Sequence, residues 1–302
     1  MFDVLVRAGC FISIIIAGYL LRKFNFFKEG DFSVLSKIVL KITLPAAFIS
    51  NFAGKEIDPA MLFVALLAFG MGVLYMIIGY LINIRKGKEA QAFGLLNLSG
   101  YNIGNFTLPF VQSFVGPIGV ITTSIFDVGN AFVCLGGAYG VASSVKGDGK
   151  FSFKRILKAL SRSVAFLTCF TMVTLGLFKI SLPDPIVSLA EIVGGANAFL
   201  AMLMIGVGFK LSGDMSRIST IIKMLVIRYG IAIVFAGLVY YFLPMEFESK
   251  LAIMILAFSP IGSAVPGFTE ELKGDVGLSS ALNSISIICS IIFIIAILMI
   301  ML

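Results

Sequence analysis

The chain has 302 residues, 59% of them hydrophobic and 13% charged, with a mean hydropathy of +1.06. Soluble domains carry roughly 45–50% apolar and about 25% charged residues, so this composition excludes a soluble globular protein and predicts an all-α polytopic membrane protein. No histidine is present, which excludes His-ligated zinc and any histidine base. The net charge of +7 is spread over short loops and forms no nucleic-acid-binding patch.

A membrane span needs about 20 apolar residues. Ten such runs are predicted, at roughly 3–22, 32–52, 59–84, 89–115, 117–145, 154–180, 185–211, 217–243, 248–272 and 275–302. The first run is long and is followed by more spans, so it is expected to be a mature helix and not a removed signal peptide. The connection Val145–Arg155 divides the chain into two halves of five helices, 1–145 and 154–302. Cys10, Cys134, Cys169 and Cys289 all fall inside apolar runs without paired spacing and read as small core side chains. No metal or cofactor is called for.

The basic residues sort by side. Alternate loops and their helix ends hold Arg22, Lys23, Lys28, Arg85, Lys86, Lys88, Lys146, Lys150, Lys154, Arg155, Lys158, Arg162, Lys210, Arg217, Lys223 and Lys273, sixteen in all. The opposite side holds three, Lys55, Lys179 and Lys250. The positive-inside rule places the sixteen in the cytoplasm, with both termini extracytoplasmic in a cell membrane. Two halves of five helices then enter from opposite sides, so any internal repeat is inverted.

The fourth run contains GYNIGNFTLPF, Gly100–Phe110, which an uninterrupted lipid-facing helix does not need. Gly104 weakens a helix, and Pro109 removes a backbone donor and crowds the preceding turn. The ninth run contains AFSPIGSAVPGF, Ala257–Phe268, broken by Pro260, Gly262, Pro266 and Gly267. Each break is followed by a tight turn, Gly116–Gly119 and Gly274–Gly277, into the last helix of its half. Asn102 and Pro260 are each ~18–20 Å from the start of their runs, near the middle of a ~30 Å core. Broken backbone at that depth survives only inside protein or around a polar cavity. Paired breaks of this kind point to a transporter's binding site, with Asn102, Asn105, Thr107, Ser259 and Ser263 as hydrogen-bonding groups. Half-helix N-termini directed at one cavity favour an anion.

AGYLLRKF, KIVLKITLPAAF (Lys37–Phe48), NIGNFTLPF (Asn102–Phe110) and AMLMIGVGFKL (Ala201–Leu211) resemble the auxin efflux carrier family, which includes bacterial organic-acid permeases and the plant PIN proteins. The resemblance runs in order along nearly the whole chain, and Asn-x-Gly-x-x-x-Leu-Pro is its most specific part. It implies ten helices in two inverted repeats, with helices 4 and 9 crossing. It implies a scaffold of helices 1, 2, 6 and 7 and a movable unit of helices 3–5 and 8–10, working as an elevator, and a homodimer as the partner arrangement. It maps the substrate-contacting asparagine onto Asn102 and the crossover prolines onto Pro109 and Pro260. The second break departs from the family pattern at Ser263 and Pro266.

Asp127 lies about 15 Å into helix 5, where a carboxylate is costly and by default functional. It is a candidate proton carrier, with Asn130 one turn away on the same face; the alternative is a structural ion pair or hydrogen bond. Lys41, Arg7 and Arg228 lie within spans. A buried cation near the crossover would hold a carboxylate substrate or pair with Asp127, whereas Arg7 is expected to snorkel. Lys41, one turn before Pro45, is a candidate pocket residue. Glu191 reads as interfacial, and Glu270 and Glu271 as solvated. The glycines of Val193–Phe209 read as helix-packing positions.

These observations predict a secondary transporter of a small organic anion, proton-coupled or uniport. Sodium symporters of the bile-acid type share such a crossover but place an acidic residue in the second break, and Ser259–Pro266 has none. A sodium site of carbonyls and hydroxyls stays open. An aspartyl intramembrane enzyme needs two facing membrane aspartates, and only Asp127 qualifies. A channel, the remaining alternative, would more usually repeat its pore-lining residues in rings.

Overall fold

The computed structural model describes residues 2–28, 30–147, 151–209 and 217–302. Lys150, Lys210 and Leu211, used above for charge and motif, lie outside them. The described residues are helical, with no strand.

Helix α1 spans Phe2–Lys23. The second run divides into α2 (Asp31–Ile38), a π-helical turn Val39–Thr43, and α3 (Leu44–Phe52). Then come α4 (Leu62–Leu81), α5 (Lys88–Leu98), a second π turn Ile103–Thr107, and α6 (Leu108–Phe114). Helix α7 (Pro117–Phe132) leads through a π turn Val133–Gly137, kinked at Gly136 where φ is 149°, into α8 (Ala138–Lys146). The second half holds α9 (Phe153–Leu160), α10 (Val164–Leu177), α11 (Asp184–Gly195), α12 (Asn197–Gly208), α13 (Ile218–Phe242), α14 (Phe247–Ala257), α15 (Val265–Glu271) and α16 (Val276–Met301).

Among the described residues, seven helices are long and apolar enough to cross a membrane, or eight if α9 and α10 form one bent span. That pair corrects the expectation of one continuous helix over 154–180, because it bends by 81° at Ser161–Ser163. FKRILKAL carries three cations in its two turns. It buries Ile156 and Leu160 and leaves Lys154, Arg155 and Lys158 exposed, so it lies along the surface. Ser163 then starts α10, its hydroxyl accepting from the Phe166 N–H at 3.3 Å.

Two sets of helices pack closely within themselves. In the first, α1 packs on α12 and α3 packs on α10 and α11. A Cβ on Gly206 would come 2.0 Å from the Ile15 carbonyl, so α1 and α12 meet backbone to backbone, as the glycine-rich sequence there predicts. In the second, α4 packs on α5 and α7, α5 on α8, α14 on α7 and α13, and α15 on α16. The α7–α8 helix is central: 67% of its most apolar stretch is buried in protein, against 17% for α1.

Two of the three π turns have a common sequence cause. Both Val39–Thr43 and Ile103–Thr107 end on the threonine of a Thr-Leu-Pro triplet, with Pro45 and Pro109 in the first turn of the next helix. Proline clashes with the carbonyl four residues back, and a wider turn removes that clash. Pro109 therefore shapes the start of α6; the true interruption lies earlier, at Ser99–Asn102, where Gly100 takes φ 76°.

Candidate functional site

The interruptions after α5 and α14 cross inside the protein. The Asn102 N–H donates to the Pro260 carbonyl at 2.9 Å. Thr107 Oγ1 and Ser259 Oγ lie 2.6 Å apart, both fully buried. Asn105 Nδ2 reaches Ser263 Oγ at 3.4 Å.

Arg228 of α13 sits behind this crossing with no solvent exposure. Its guanidinium donates to the carbonyls of Leu98 and Gly100, after α5, and of Ser259 and Pro260, after α14. The rings of Tyr75 and Tyr101 flank it, each centroid 5.1 Å away. A buried cation needs compensation, and here two helix C-termini and two aromatic faces supply it. Arg228 therefore pairs with backbone, not with Asp127 or an exposed substrate group, which corrects the sequence expectation. The sequence marked it as a cation within a span but gave no sign that carbonyls would be its partners.

The next helix of each half braces its interruption. Asn130 on α7 clasps Tyr101: Oδ1 accepts the Tyr101 N–H and Nδ2 donates to the Tyr101 carbonyl, both at 3.0 Å. On α16, Ser286 Oγ accepts the Ile261 N–H at 3.1 Å, and Asn283 Nδ2 donates to the carbonyls of Ile261 and Gly262. Tyr101, Asn283 and Ser286 went unread in the sequence, since polar residues in a long apolar helix carry no address for their partners.

A cavity of about 240 Å³ opens beside the crossing. Its polar lining includes Asn102, Gly104, Asn105, Ser124, Asp127, Asn130, Gly262 and Ser263. Leu40, Leu44 and Phe48 of the second run and Phe166 of α10 form a facing apolar wall. Asp127 Oδ1 accepts from Asn130 Nδ2 at 2.9 Å, so one amide links the carboxylate to the interrupted backbone. Two amides keep unused capacity: the Asn102 side chain has no hydrogen-bond partner among the described residues, and Asn105 Oδ1 is buried without one. Buried polar groups are normally satisfied, so the buried Asn105 oxygen marks a place where a solute or water completes the set.

The structure thus gathers Asn102, Gly104, Asn105, Gly262, Ser263, Asp127 and Asn130 at one cavity. Thr107, Ser259 and Pro260 stand behind it as the staple between the interruptions, and Pro109 lies within α6. Lys41 does not join them: it is exposed, and its neighbours Leu40 and Leu44 line the cavity instead. No basic side chain is among the described residues of the lining. Arg7 is exposed and donates to the Ser113 carbonyl at 2.8 Å, and Glu191, Glu270 and Glu271 are exposed.

Membrane-length helices packed around a cavity at two interrupted segments define a multi-pass membrane protein. Residues 10–151 match the family described as Membrane transport protein, which is the auxin efflux carrier family. The match bears out over those residues the resemblance seen in the sequence, and the family it points to is one of membrane transporters. No curated protein matches the chain.

Proposed function

We propose that this protein is a secondary transporter that carries a small organic anion together with a proton through the cavity beside Asn102. The observation that carries this reading is the pairing of an unpartnered Asn102 amide with the Asp127 carboxylate on one polar wall. The cavity volume of about 240 Å³ lies just below the usual 300–1,000 Å³ of small-molecule sites, which suits a cargo of a few carbons.

Charge argues for the proton. A carboxylate cargo about 4 Å from an ionised Asp127 would be repelled by ~4 kcal/mol at an effective dielectric of 20. No basic side chain among the described lining offsets this. Protonating Asp127 removes the repulsion and turns the carboxyl into a donor, so anion and proton bind together. The same lining favours a second reading, a neutral or amine-bearing cargo held by ionised Asp127. A sodium-coupled cycle has no acidic residue in the second interruption to support it.

The packing supports an elevator-like cycle with ten spans in two inverted halves, counting α5–α6 and α14–α15 as one interrupted span each. The set α1–α3 with α10–α12 serves as scaffold, and α4–α8 with α13–α16 as the moving unit. The cavity lies where the two sets meet, and the scaffold side contributes mainly apolar side chains, over which a surface can slide. Equivalent bracing of the two interruptions, by Asn130 and by Asn283 with Ser286, supports the repeat. The distribution of basic residues over the loops supports a reading in which both termini lie outside the cell membrane.

The test is uptake of labelled mono- and dicarboxylates, indole-3-acetate and a small primary amine into proteoliposomes, with pH and sodium gradients imposed separately. Saturable carboxylate uptake driven by the pH gradient and indifferent to sodium is expected. Amine uptake without carboxylate uptake would establish the second reading, and sodium-dependent uptake would overturn proton coupling.

A further inference from the structure

A second and larger cavity, of about 610 Å³, lies at the end of the helices that carries the basic loops. Five cations line it, Lys86, Lys146, Arg217, Lys223 and Lys273, with two acids, Glu89 and Asp275. They come from separate places in the chain: the turn after α4, the end of α8, the start of α13 and the turn after α15. Two of the cations are engaged. Arg217 pairs with Asp275 at 2.7 Å, and the Lys146 ammonium donates to the Leu272 carbonyl. The ammonium groups of Lys86, Lys223 and Lys273 have no hydrogen bond or ion pair among the described residues.

The geometry points to a binding site for a phosphoryl anion, of the kind an acidic phospholipid headgroup presents. Like charges gathered on one cavity repel, and an anion that contacts several of them relieves the repulsion. A phosphoryl group offers several charged oxygens to point-charge ammonium groups arriving from different directions. The volume falls within the range of small-molecule sites and exceeds the needs of a bare ion. The lining supplies an apolar side as well, from Ile82, Phe93, Leu96, Met224, Leu272 and Leu278. That mixture suits a headgroup whose glycerol and first methylenes lie against protein, at the level where α4 and α13 leave the membrane. Residues of the turn after α4 and of α5, α8, α13, α15 and α16 meet here, so one bound anion would tie together the ends of the helices that hold the crossing. This site does not depend on the transport reading, since it shares no lining residue with the first cavity.

The test uses the purified full-length protein in a non-ionic detergent. Dioctanoyl phosphatidylglycerol, dioctanoyl phosphatidylcholine and glycerol 3-phosphate are titrated separately, with binding read by native mass spectrometry and by the shift in Tm. The phosphatidylglycerol probe is expected to bind and to raise Tm, and Lys86→Gln/Lys223→Gln/Lys273→Gln is expected to weaken it by at least about tenfold. The three side chains are exposed, so their replacement leaves the core intact. A matched control, Lys55→Gln/Lys179→Gln, alters the opposite end and should leave the affinity unchanged. Glycerol 3-phosphate binding that is lost in the same triple variant would identify a soluble phosphorylated anion as the source; binding of the lipid alone would identify the headgroup. Unchanged phosphatidylglycerol affinity in the triple variant, equal loss in the control, or no binding of either phosphoryl probe would overturn the site.

Discussion

Thr107 and Ser259 meet hydroxyl to hydroxyl, 2.6 Å apart, where two interrupted helices from opposite halves of the chain cross. Neither side chain is exposed, so neither can exchange its partner for bulk water. Removing one hydroxyl leaves the other short of a partner, whereas removing both leaves an apolar contact. A double-mutant cycle of Thr107→Val and Ser259→Ala should therefore show coupling of about 1 kcal/mol in unfolding free energy. Additive losses would mean that the two hydroxyls do not hold the crossing together.

Asn102→Ala should abolish saturable uptake while leaving Tm within about 1–2 °C of the parent. The side-chain amide has no protein partner among the described residues, and the backbone bond to Pro260 survives the change. Retained uptake with an unchanged KM would remove Asn102 from the site.

Asp127→Asn should leave uptake insensitive to an imposed pH gradient. The amide keeps the shape of the protonated carboxyl but can neither release nor accept the coupled proton. Its neighbour Asn130 can still bond to it, so the clasp on Tyr101 persists. Uptake that still follows the proton gradient would return Asp127 to a structural role.

Arg228→Leu should destabilise the protein, by about 1–3 kcal/mol for each buried carbonyl it leaves without a donor. The carbonyls of Leu98, Gly100 and Ser259 lose the guanidinium donor, the Pro260 carbonyl keeps the Asn102 N–H, and the space between Tyr75 and Tyr101 loses its cation. Arg228→Lys should recover part of the loss, because one ammonium cannot fork across both chain segments. Thermal unfolding in detergent measures both. A Leu variant as stable as the parent would show that solvent or neighbouring groups satisfy those carbonyls.

Gly104 and Leu44 provide a test of relative motion. A Cβ built on Gly104, in the π turn Ile103–Thr107, would lie 2.9 Å from Cδ2 of Leu44, the first residue of α3. With the four native cysteines replaced, Leu44→Cys/Gly104→Cys should cross-link on oxidation and lose uptake, and reductant should restore it. Full uptake by the cross-linked protein would rule out sliding at this contact.

The interruptions were legible in the sequence because Gly, Pro and Asn clustered at membrane depth have no use in a lipid-facing helix. Asp127 and Asn130 were legible for a related reason, as polar residues at helical spacing in an apolar run. The role of Pro109 was not, because a proline two residues after a π turn reads in sequence like one that ends a helix. The partners of Arg228 were hidden too: they are main-chain atoms of two distant segments, and backbone carbonyls have no residue code. Lys41 misled because a span residue near a motif need not face it; the π turn that holds Lys41 directs Leu40 and Leu44 to the cavity. Helix α9 was hidden by averaging, since a long apolar segment follows its three cations and outweighs them in any wide window.

The partners of Arg228 also impose an order on synthesis. When α13 leaves the ribosome, Leu98 and Gly100 are already made, but Ser259 and Pro260 are still to come. A lone arginine at mid-helix resists insertion by roughly 2.5–3.5 kcal/mol. The nascent chain can offset that early cost only through its first half and the apolar remainder of α13. The guanidinium is thus half-seated until α14 arrives, and a chain stalled or cut between residues 242 and 258 should be held back by membrane quality control.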